Sequence, residues 1–166
     1  ALGVSPSHQQ QQMGQQKSLH LSDNFKKIRH LGRGNFAVVI EIARRSDGRR
    51  FACKCIRKKH LAENMQKRVA QEIKLMGEIN HPHCAKMFEV VETPTKICIV
   101  TELMEGPSLY DHISKQGKFT EQLAGRIVYQ VADALNYLHF RNIIHRDLKP
   151  QNIMLRKPVK DDRIEA

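Results

Sequence analysis

The stretch His145-Arg146-Asp147-Leu148-Lys149-Pro150-Gln151-Asn152 follows a long segment whose apolar residues recur at helical spacing. It places an acid, two cations and an amide within one short turn. A carboxylate can orient a hydroxyl and accept its proton, a lysine can offset charge on a phosphoryl group, and an amide carbonyl can hold a metal ion. The octet therefore indicates phosphoryl transfer, and the alternative is a basic surface turn.

This octet resembles, residue by residue, the catalytic loop of eukaryotic protein kinases. The resemblance implies that Asp147 is the catalytic base, that Lys149 stabilises the transferred phosphoryl group and that Asn152 binds Mg²⁺. It also implies ATP as the phosphate donor and a protein Ser or Thr hydroxyl as the acceptor. Lys149, two residues after Asp147, resembles the residue found there in the serine/threonine branch of the family. The residues from Glu105 onward look most like the calcium/calmodulin-dependent kinase group.

A glycine-containing segment, Leu31-Gly32-Arg33-Gly34-Asn35-Phe36-Ala37-Val38-Val39, lies between two strand-like runs. Glycines let backbone N–H groups approach a phosphate, although a Gly-x-Gly pair alone is typical of ordinary turns. No helix pattern follows, so a dinucleotide-binding fold is disfavoured. The segment resembles the kinase Gly-rich loop, with Ala37 in place of the third glycine. We expect this change to stiffen the loop slightly without abolishing nucleotide binding.

One lysine, Lys54, stands among apolar residues in the strand-like run from Arg50 to Ile56. Burying a lysine is costly unless it is paired, which makes Lys54 a functional candidate. It resembles the kinase lysine that holds the α- and β-phosphates. Glu72, in a helix predicted from Glu63 to Ile79, resembles its partner. The alternatives are a lysine facing water and an ordinary exposed glutamate.

Two further strands are predicted, from Ala85 to Glu92 and from Lys96 to Glu102, and the apolar second one should be central. The residues that follow resemble the kinase hinge. The resemblance implies that Thr101 is the gatekeeper and that backbone groups of Glu102 and Met104 face adenine. It also implies an adenine pocket with apolar walls formed by Leu31, Val39, Ala52 and Met154. Each of these is equally an ordinary core residue.

Composition narrows the class of protein. The 166-residue chain carries a net charge of +11, but its basic residues are dispersed, so a solvated basic face is favoured and nucleic acid is an unlikely partner. No apolar run could span a bilayer and no signal-peptide pattern opens the chain. The four cysteines show no disulfide-like spacing, which favours a reducing, intracellular compartment, cytoplasmic or nuclear.

A zinc site could be drawn from five residues in two segments. However, two thiols in Cys-x-Cys point the same way on a strand and leave little room to close a tetrahedron. We therefore disfavour zinc at Cys53, Cys55, His81, His83 and Cys84.

The expected fold class is α+β, a kinase-like fold with a complete N-terminal lobe and the first part of the helical C-terminal lobe. Residues 1–20 are a Gln/Ser-rich leader expected to be disordered. Residues 21–104 should form the N-terminal lobe, an antiparallel sheet with the C-helix, and the hinge. Residues 105–166 should form the partial C-terminal lobe, with a long helix capped by Thr120 and a short strand from Asn152 to Leu155.

Both ends of the chain look cut, and no Asp-Phe-Gly, the main Mg²⁺-binding motif of the resembled family, occurs in it. We therefore expect a fragment of a longer kinase with impaired transfer as written. The alternative is a catalytically inactive module that binds nucleotide or a partner.

Overall fold

A computed structural model of the chain describes residues 21–34 and 37–159. The predicted leader, residues 1–20, lies outside this range and stays a prediction. Short 3₁₀ turns cover Lys58–His60 and Pro150–Asn152. The helices and strands follow in chain order as α1 (Leu21–Asn24), β1 (Phe25–Arg33), β2 (Ala37–Arg44), β3 (Arg50–Arg57), α2 (Glu63–Glu78), β4 (Met87–Glu92), β5 (Lys96–Thr101), α3 (Leu109–Gln116) and α4 (Glu121–Phe140).

The five strands form one antiparallel sheet in the order β1-β2-β3-β5-β4. The turn between β2 and β3 contains Gly48 at a φ of 71°, a conformation that glycine adopts without a steric penalty. β5 lies between β3 and β4, and residues 97–100 are all buried. This confirms the prediction that the apolar strand is central.

One face of the sheet packs against α2. This helix presents a stripe of half-buried apolar residues to the sheet, where Ile56, Ile97 and Ile99 are buried. The stripe recurs at helical spacing and consists of Met65, Val69, Ile73 and Met76. Glu72 is next to Ile73 on this helix. Because Ile73 packs on the sheet, the position of the Glu72 backbone relative to the sheet is fixed.

The other face of the sheet has its own apolar core, built around Phe25, Ile42 and Phe51. The Phe25 and Phe51 rings meet edge to face, with centroids 5.9 Å apart. Glu41 is also buried on the sheet, where it accepts hydrogen bonds from Arg29 at 2.7 Å and Arg50 at 2.5 Å. These bonds offset the cost of removing the carboxylate from water.

The helical part starts with α3, which the sequence analysis did not assign. Ser108 caps it by accepting a hydrogen bond from the Asp111 amide at 3.0 Å, and it ends at Gly117, whose φ is 88°. Thr120 caps α4 by accepting from the Leu123 amide at 3.3 Å, as predicted. Within the described residues, no helix is both long and apolar enough to cross a membrane.

The predicted short strand from Asn152 to Leu155 is wrong. Instead, this segment pairs with the loop before α3, where the Leu155 amide donates to the Pro107 carbonyl at 3.0 Å. Only an isolated bridge, Ser108 to Met154, forms within the described part of the chain. The loop turns into α3 immediately after the bridge, so no ladder can extend.

The sheet and the helical part meet at the loop that follows α2. The Asn80 amide donates to the Tyr137 hydroxyl at 2.9 Å, and the His81 ring stacks on Tyr137 with centroids 4.8 Å apart. His81 Nε2 also lies 3.3 Å from an Asp133 carboxylate oxygen. These contacts place the C-terminal half of α4 against the N-terminal part of the fold.

Candidate active site

The catalytic-loop octet begins shortly after α4 ends. Asn142, at a φ of 59°, reverses the chain, and the Ile143 amide then donates to the Leu138 carbonyl at 2.9 Å. Arg146 has a φ of 64°, and the Asp147 amide donates back to the His145 carbonyl at 2.9 Å. A positive φ at a non-glycine residue costs roughly 1–2 kcal/mol and is commonest at functional sites.

Three predicted residues converge in this loop. Lys149 Nζ lies 2.8 Å from one oxygen of the Asp147 carboxylate. The Asn152 amide nitrogen donates to the other oxygen at 2.8 Å and to the Asp147 backbone carbonyl at 2.7 Å. Hydrogen bonds from Lys149 and then Asn152 hold the pKa of the Asp147 carboxyl below its usual value. Asp147 is therefore an exposed carboxylate with both oxygens oriented.

Asn152 fits the ligand role implied for it. Its amide nitrogen is used by Asp147, which leaves the carbonyl oxygen Oδ1 for a cation. Mg²⁺ prefers oxygen ligands and usually keeps water or phosphate oxygens around one or two protein ligands. The donor chemistry of this loop is thus compatible with a magnesium ion carried by a nucleotide.

The second predicted pair, Lys54 and Glu72, also comes together. Lys54 Nζ lies 3.8 Å from Glu72 Oε1, and the two side chains are 46% and 56% exposed. The expectation that Lys54 bears a burial cost is therefore wrong, because its side chain is half-exposed. A half-exposed ion pair contributes about 0–1 kcal/mol to stability, so stability alone gives little reason for it.

The glycine-containing segment joins β1 to β2. Gly32 is paired with Val39, and the Gly34 amide donates to the Ala37 carbonyl at 2.8 Å. A Cβ on Gly32 would meet nothing within 4 Å, and one on Gly34 would meet only the Ala37 oxygen at 3.8 Å. Packing inside the described chain does not demand glycine here. Residues 35–36 lie outside the described range.

The predicted hinge continues from β5. Thr101 is paired with Ala52 on β3, and Val39 on β2 is paired with Lys54, so their partners lie two residues apart along β3. The Glu102 amide donates to the Lys86 carbonyl at 2.8 Å, so this amide is already used within the chain. Among the described residues, the Met104 amide has no hydrogen-bond acceptor.

The predicted apolar walls differ in exposure. Val39 and Ala52 are half-buried, whereas Leu31 and Met154 are exposed although both are large and apolar. Such exposure is compatible with a cleft that is open when no nucleotide covers these side chains.

Sequence reasoning missed one connection behind the hinge. Arg156 forms an ion pair with Glu102 and donates to the Pro82 carbonyl at 3.1 Å. It thereby ties the hinge to the segment that follows the catalytic loop. No local pattern marks Arg156, because its partners come from distant parts of the chain.

The cysteines and histidines group differently from the zinc set considered above. His81 and His83 both face Asp133, at 3.3 and 3.8 Å. Cys53 and Cys55 lie together as expected, and Cys98 of β5 joins them. The cross-strand register brought Cys98 in, and no motif in the sequence indicated it.

Comparison with known proteins gives consistent matches. A family model described as "Protein kinase domain" matches residues 25–164. Serine/threonine-protein kinase DCLK1 of Rattus norvegicus is 35% identical over 90% of this chain and 34% of its own length. Calcium/calmodulin-dependent protein kinase cmkA of Emericella nidulans is 41% identical over 85% of this chain and 33% of its own length. This chain thus spans about a third of either relative.

Solved structures agree. A crystal structure of Rad53 residues 1–466 in complex with AMP-PNP superposes with a TM-score of 0.74 at 30% identity, covering 86% of this chain and 36% of that one. The five-stranded sheet with α2, followed by α3 and α4, is part of a protein kinase fold, as expected. The chain therefore belongs to the protein kinase domain family, and its relatives are serine/threonine kinases.

Proposed function

We propose that this chain carries the nucleotide-binding and phosphoryl-transfer residues of a serine/threonine protein kinase. The reaction moves the γ-phosphate of ATP to a Ser or Thr hydroxyl of a protein. The observation that carries the proposal is the Asp147 carboxylate held between Lys149 and Asn152. As part of this proposal, residues 21–104 form the N-terminal lobe and the hinge, and residues 105–166 form the partial C-terminal lobe.

Asp147 orients the acceptor hydroxyl and receives its proton. Because the pKa of Asp147 is lowered, the carboxylate is a weak base and stays charged at neutral pH. This suits a loose transition state, in which the hydroxyl loses its proton late. The hydroxyl oxygen bonds to the γ-phosphorus, the bond from that phosphorus to the bridging oxygen of ADP breaks, and the proton passes to Asp147.

Lys149 and Asn152 assist at the same place. Lys149 Nζ sits beside Asp147 Oδ1 and can offset charge on the phosphoryl group as it moves. Asn152 Oδ1 would hold Mg²⁺, which when bound neutralises charge on the phosphates. Both side chains also keep the Asp147 carboxylate in one orientation, which lowers the entropic cost of positioning the hydroxyl.

The nucleotide would lie between the sheet and the hinge. Lys54, oriented by Glu72, would bind the α- and β-phosphates, and the backbone of Gly32 and Gly34 would cover them. Thr101 would limit the depth of the pocket. The Glu102 carbonyl and the Met104 amide would bond to adenine, between the apolar walls Leu31, Val39, Ala52 and Met154.

The second candidate is a module that binds nucleotide or a partner without transfer. Such a module needs only the nucleotide-binding residues, of which Lys54 and Glu72 are already paired at 3.8 Å. We also infer an intracellular site of action, since all four cysteines are free thiols.

The test is a phosphorylation assay of the purified chain with radiolabelled ATP, Mg²⁺ and casein as a generic acceptor. Asp147→Asn should reduce turnover by roughly 10²–10⁴-fold while ATP still raises the unfolding midpoint. Asp47→Asn, in the turn between β2 and β3, is the matched control and should leave turnover unchanged. Equal turnover in the wild type and Asp147→Asn would refute the proposal. ATP binding without any wild-type turnover supports the binding module instead.

A further inference from the structure

Three thiols outside the proposed active site form a cluster on the face of the sheet opposite α2. The Cys98 thiol donates to Cys55 Sγ at 3.3 Å, and the Cys53 and Cys55 sulfurs lie 3.6 Å apart. All three sulfurs lie within 4.8 Å of one another. Cys53 and Cys98 are buried, whereas Cys55 is half-buried and so open to a small reagent.

We propose that Cys55 and Cys98 are a reversible oxidation site, at which hydrogen peroxide converts the two thiols into a disulfide that joins β3 to β5. The backbone already has the required register, since Cys55 and Cys98 are direct partners across the two antiparallel strands. Such partners have Cα atoms roughly 4.5 or 5.5 Å apart, within the range that a disulfide spans.

Cys55 is the residue that the oxidant would attack. Hydrogen bonds from the Cys53 and Cys98 thiols lower the pKa of Cys55, and the ammonium groups of Lys96 and Lys27 act in the same direction, while burial opposes them. The thiolate is the reactive form of cysteine. Cys55 is also the most exposed residue of the three, so the reactive thiol belongs to the residue that solvent reaches most easily.

The reaction balances with peroxide as the only oxidant. The Cys55 thiolate attacks one peroxide oxygen, the O–O bond breaks, and hydroxide leaves a sulfenic acid on Cys55. Cys98 Sγ then attacks the Cys55 sulfur, the S–O bond breaks, and the oxygen departs as water with the Cys98 proton. Two thiols lose two electrons in total, and one peroxide is reduced to two waters.

Cys98 is a better partner than Cys53. Cys53 and Cys55 are two apart on one strand, so their Cα atoms are separated by roughly 6.6–6.8 Å and their side chains run parallel. That is the outer limit for a disulfide. Cys98 faces Cys55 across the ladder and already directs its S–H at the Cys55 sulfur.

A metal ion is a weaker explanation for the same cluster. A metal would need every ligating sulfur to be deprotonated. Cys53 is fully buried, and hydrogen bonds to Cys55 and Cys98 raise the pKa of its thiol. A disulfide needs only one thiolate, and its product is neutral in an apolar core.

The proposed bond lies close to the nucleotide residues. Cys55 follows Lys54 directly, and Cys98 stands three residues before Thr101 on β5. Oxidation would therefore lock together the two strands that carry the predicted phosphate-binding lysine and gatekeeper. That consequence rests on the proposed function, whereas formation of the disulfide does not.

Peptide mapping of the 166-residue chain tests the site directly. The reduced chain is treated with hydrogen peroxide in EDTA, free thiols are alkylated, and a non-reducing tryptic digest is analysed by mass spectrometry. Trypsin cuts after Lys54, so Cys53 and Cys55 fall in separate peptides. The informative peptides are 51–54, 55–57 and 97–115.

We expect peptide 55–57 joined to 97–115, lighter by two hydrogen atoms than the two peptides together and separated by dithiothreitol. Cys84 should resist oxidation and stay a free thiol, because burial and the Asp133 carboxylate raise the pKa of its thiol and so lower its thiolate fraction. Cys53→Ala and the control Cys84→Ser should keep the cross-link, and Cys98→Ala should abolish it.

Three results would overturn the proposal: a bond from Cys55 to Cys53, Cys55 as sulfinic or sulfonic acid with Cys98 still free, or unchanged alkylation of both. The wild-type map decides among these results even if a variant fails to fold. Because the map does not involve ATP, its failure is distinguishable from a failure of the proposed kinase activity.

Discussion

Lys54 Nζ lies 3.8 Å from Glu72 Oε1, so the third strand and the helix packed on the sheet are joined by a pair of half-exposed charges. A pair this exposed stabilises the fold little. Its main effect is to hold the Lys54 ammonium group in one position. The proposed function predicts that Lys54→Met weakens ATP binding by about tenfold or more, because a charge-assisted contact to phosphate is lost. Calorimetric titration with Mg²⁺-ATP measures the change.

Glu72→Gln should weaken ATP binding in the same direction but by less, since the lysine remains and only its orientation is lost. The matched control is Lys67→Met, which breaks the exposed contact to Glu63 at 3.1 Å on the same helix. An equal loss of ATP affinity in Lys67→Met would show that charge on α2, and not the placement of Lys54, determines binding.

Lys149 controls the titration of Asp147. The hydrogen bond from Lys149 makes the largest contribution to the lowered pKa of Asp147. Lys149→Met should therefore raise that pKa toward the ordinary aspartate value. Asn152→Ala should raise it less. Carbon-13 NMR of the carboxyl group, assigned by loss of the signal in Asp147→Asn, measures both.

The sign of the effect on stability follows from linkage. A carboxyl whose pKa is lower in the folded state adds stability above its unfolded pKa, and this is lost as the pH falls through the folded pKa. With Lys149→Met the gap between the two values narrows, so this contribution shrinks and disappears at a higher pH. An unchanged Asp147 titration in Lys149→Met would contradict the ion pair.

Glu41 stabilises the sheet through two arginines. Its side chain is 0% exposed and bonded to Arg29 and Arg50. Glu41→Gln should lower the free energy of unfolding by about 1–3 kcal/mol, because the charge-assisted bonds are lost inside the fold. Urea unfolding at neutral pH measures it, and the exposed Glu63→Gln, changing stability by about 0.5 kcal/mol or less, is the control.

The pH dependence gives a second check on Glu41. Hydrogen bonds from Arg50 and Arg29, against the opposing effect of burial, lower its pKa. Its contribution is therefore present above the unfolded pKa and lost as the pH falls through the folded one. The difference between the wild type and Glu41→Gln should shrink on acidification, and a difference that grows would refute the assignment.

Gly106, just past the hinge, is required by packing. A Cβ there would lie 2.6 Å from the carbonyl oxygens of Leu155 and Lys157, so the backbone would have to move. Gly106→Ala should lower the free energy of unfolding by about 1–3 kcal/mol. Gly125→Ala in α4, where a Cβ meets nothing within 4 Å, should raise it by about 0.5–1 kcal/mol. Thermal unfolding of both variants distinguishes a packing requirement from a general effect of removing glycine.

Much of the fold was predictable because its signals are local. The apolar periods gave α2 to within one residue, and Thr120 marked the start of α4 because a capping hydroxyl needs only the next turn of helix. The short helix α3 was missed because its eight residues carry too few apolar positions for a clear period. The strand expected from Asn152 to Leu155 does not form, because the segment opposite it is a loop.

The sequence by itself determined the family and the chemistry of the catalytic loop, because Asp147, Lys149 and Asn152 lie within six residues and their contacts depend on one turn. Only the tertiary structure decided which distant residues meet. The register of β3 against β5 makes Cys98 the cross-strand partner of Cys55. The return of the chain after the catalytic loop to the segment after β5 brings Arg156 to Glu102. Contacts between distant segments depend on packing and strand register, and these produce no residue spacing that could be recognised in the sequence.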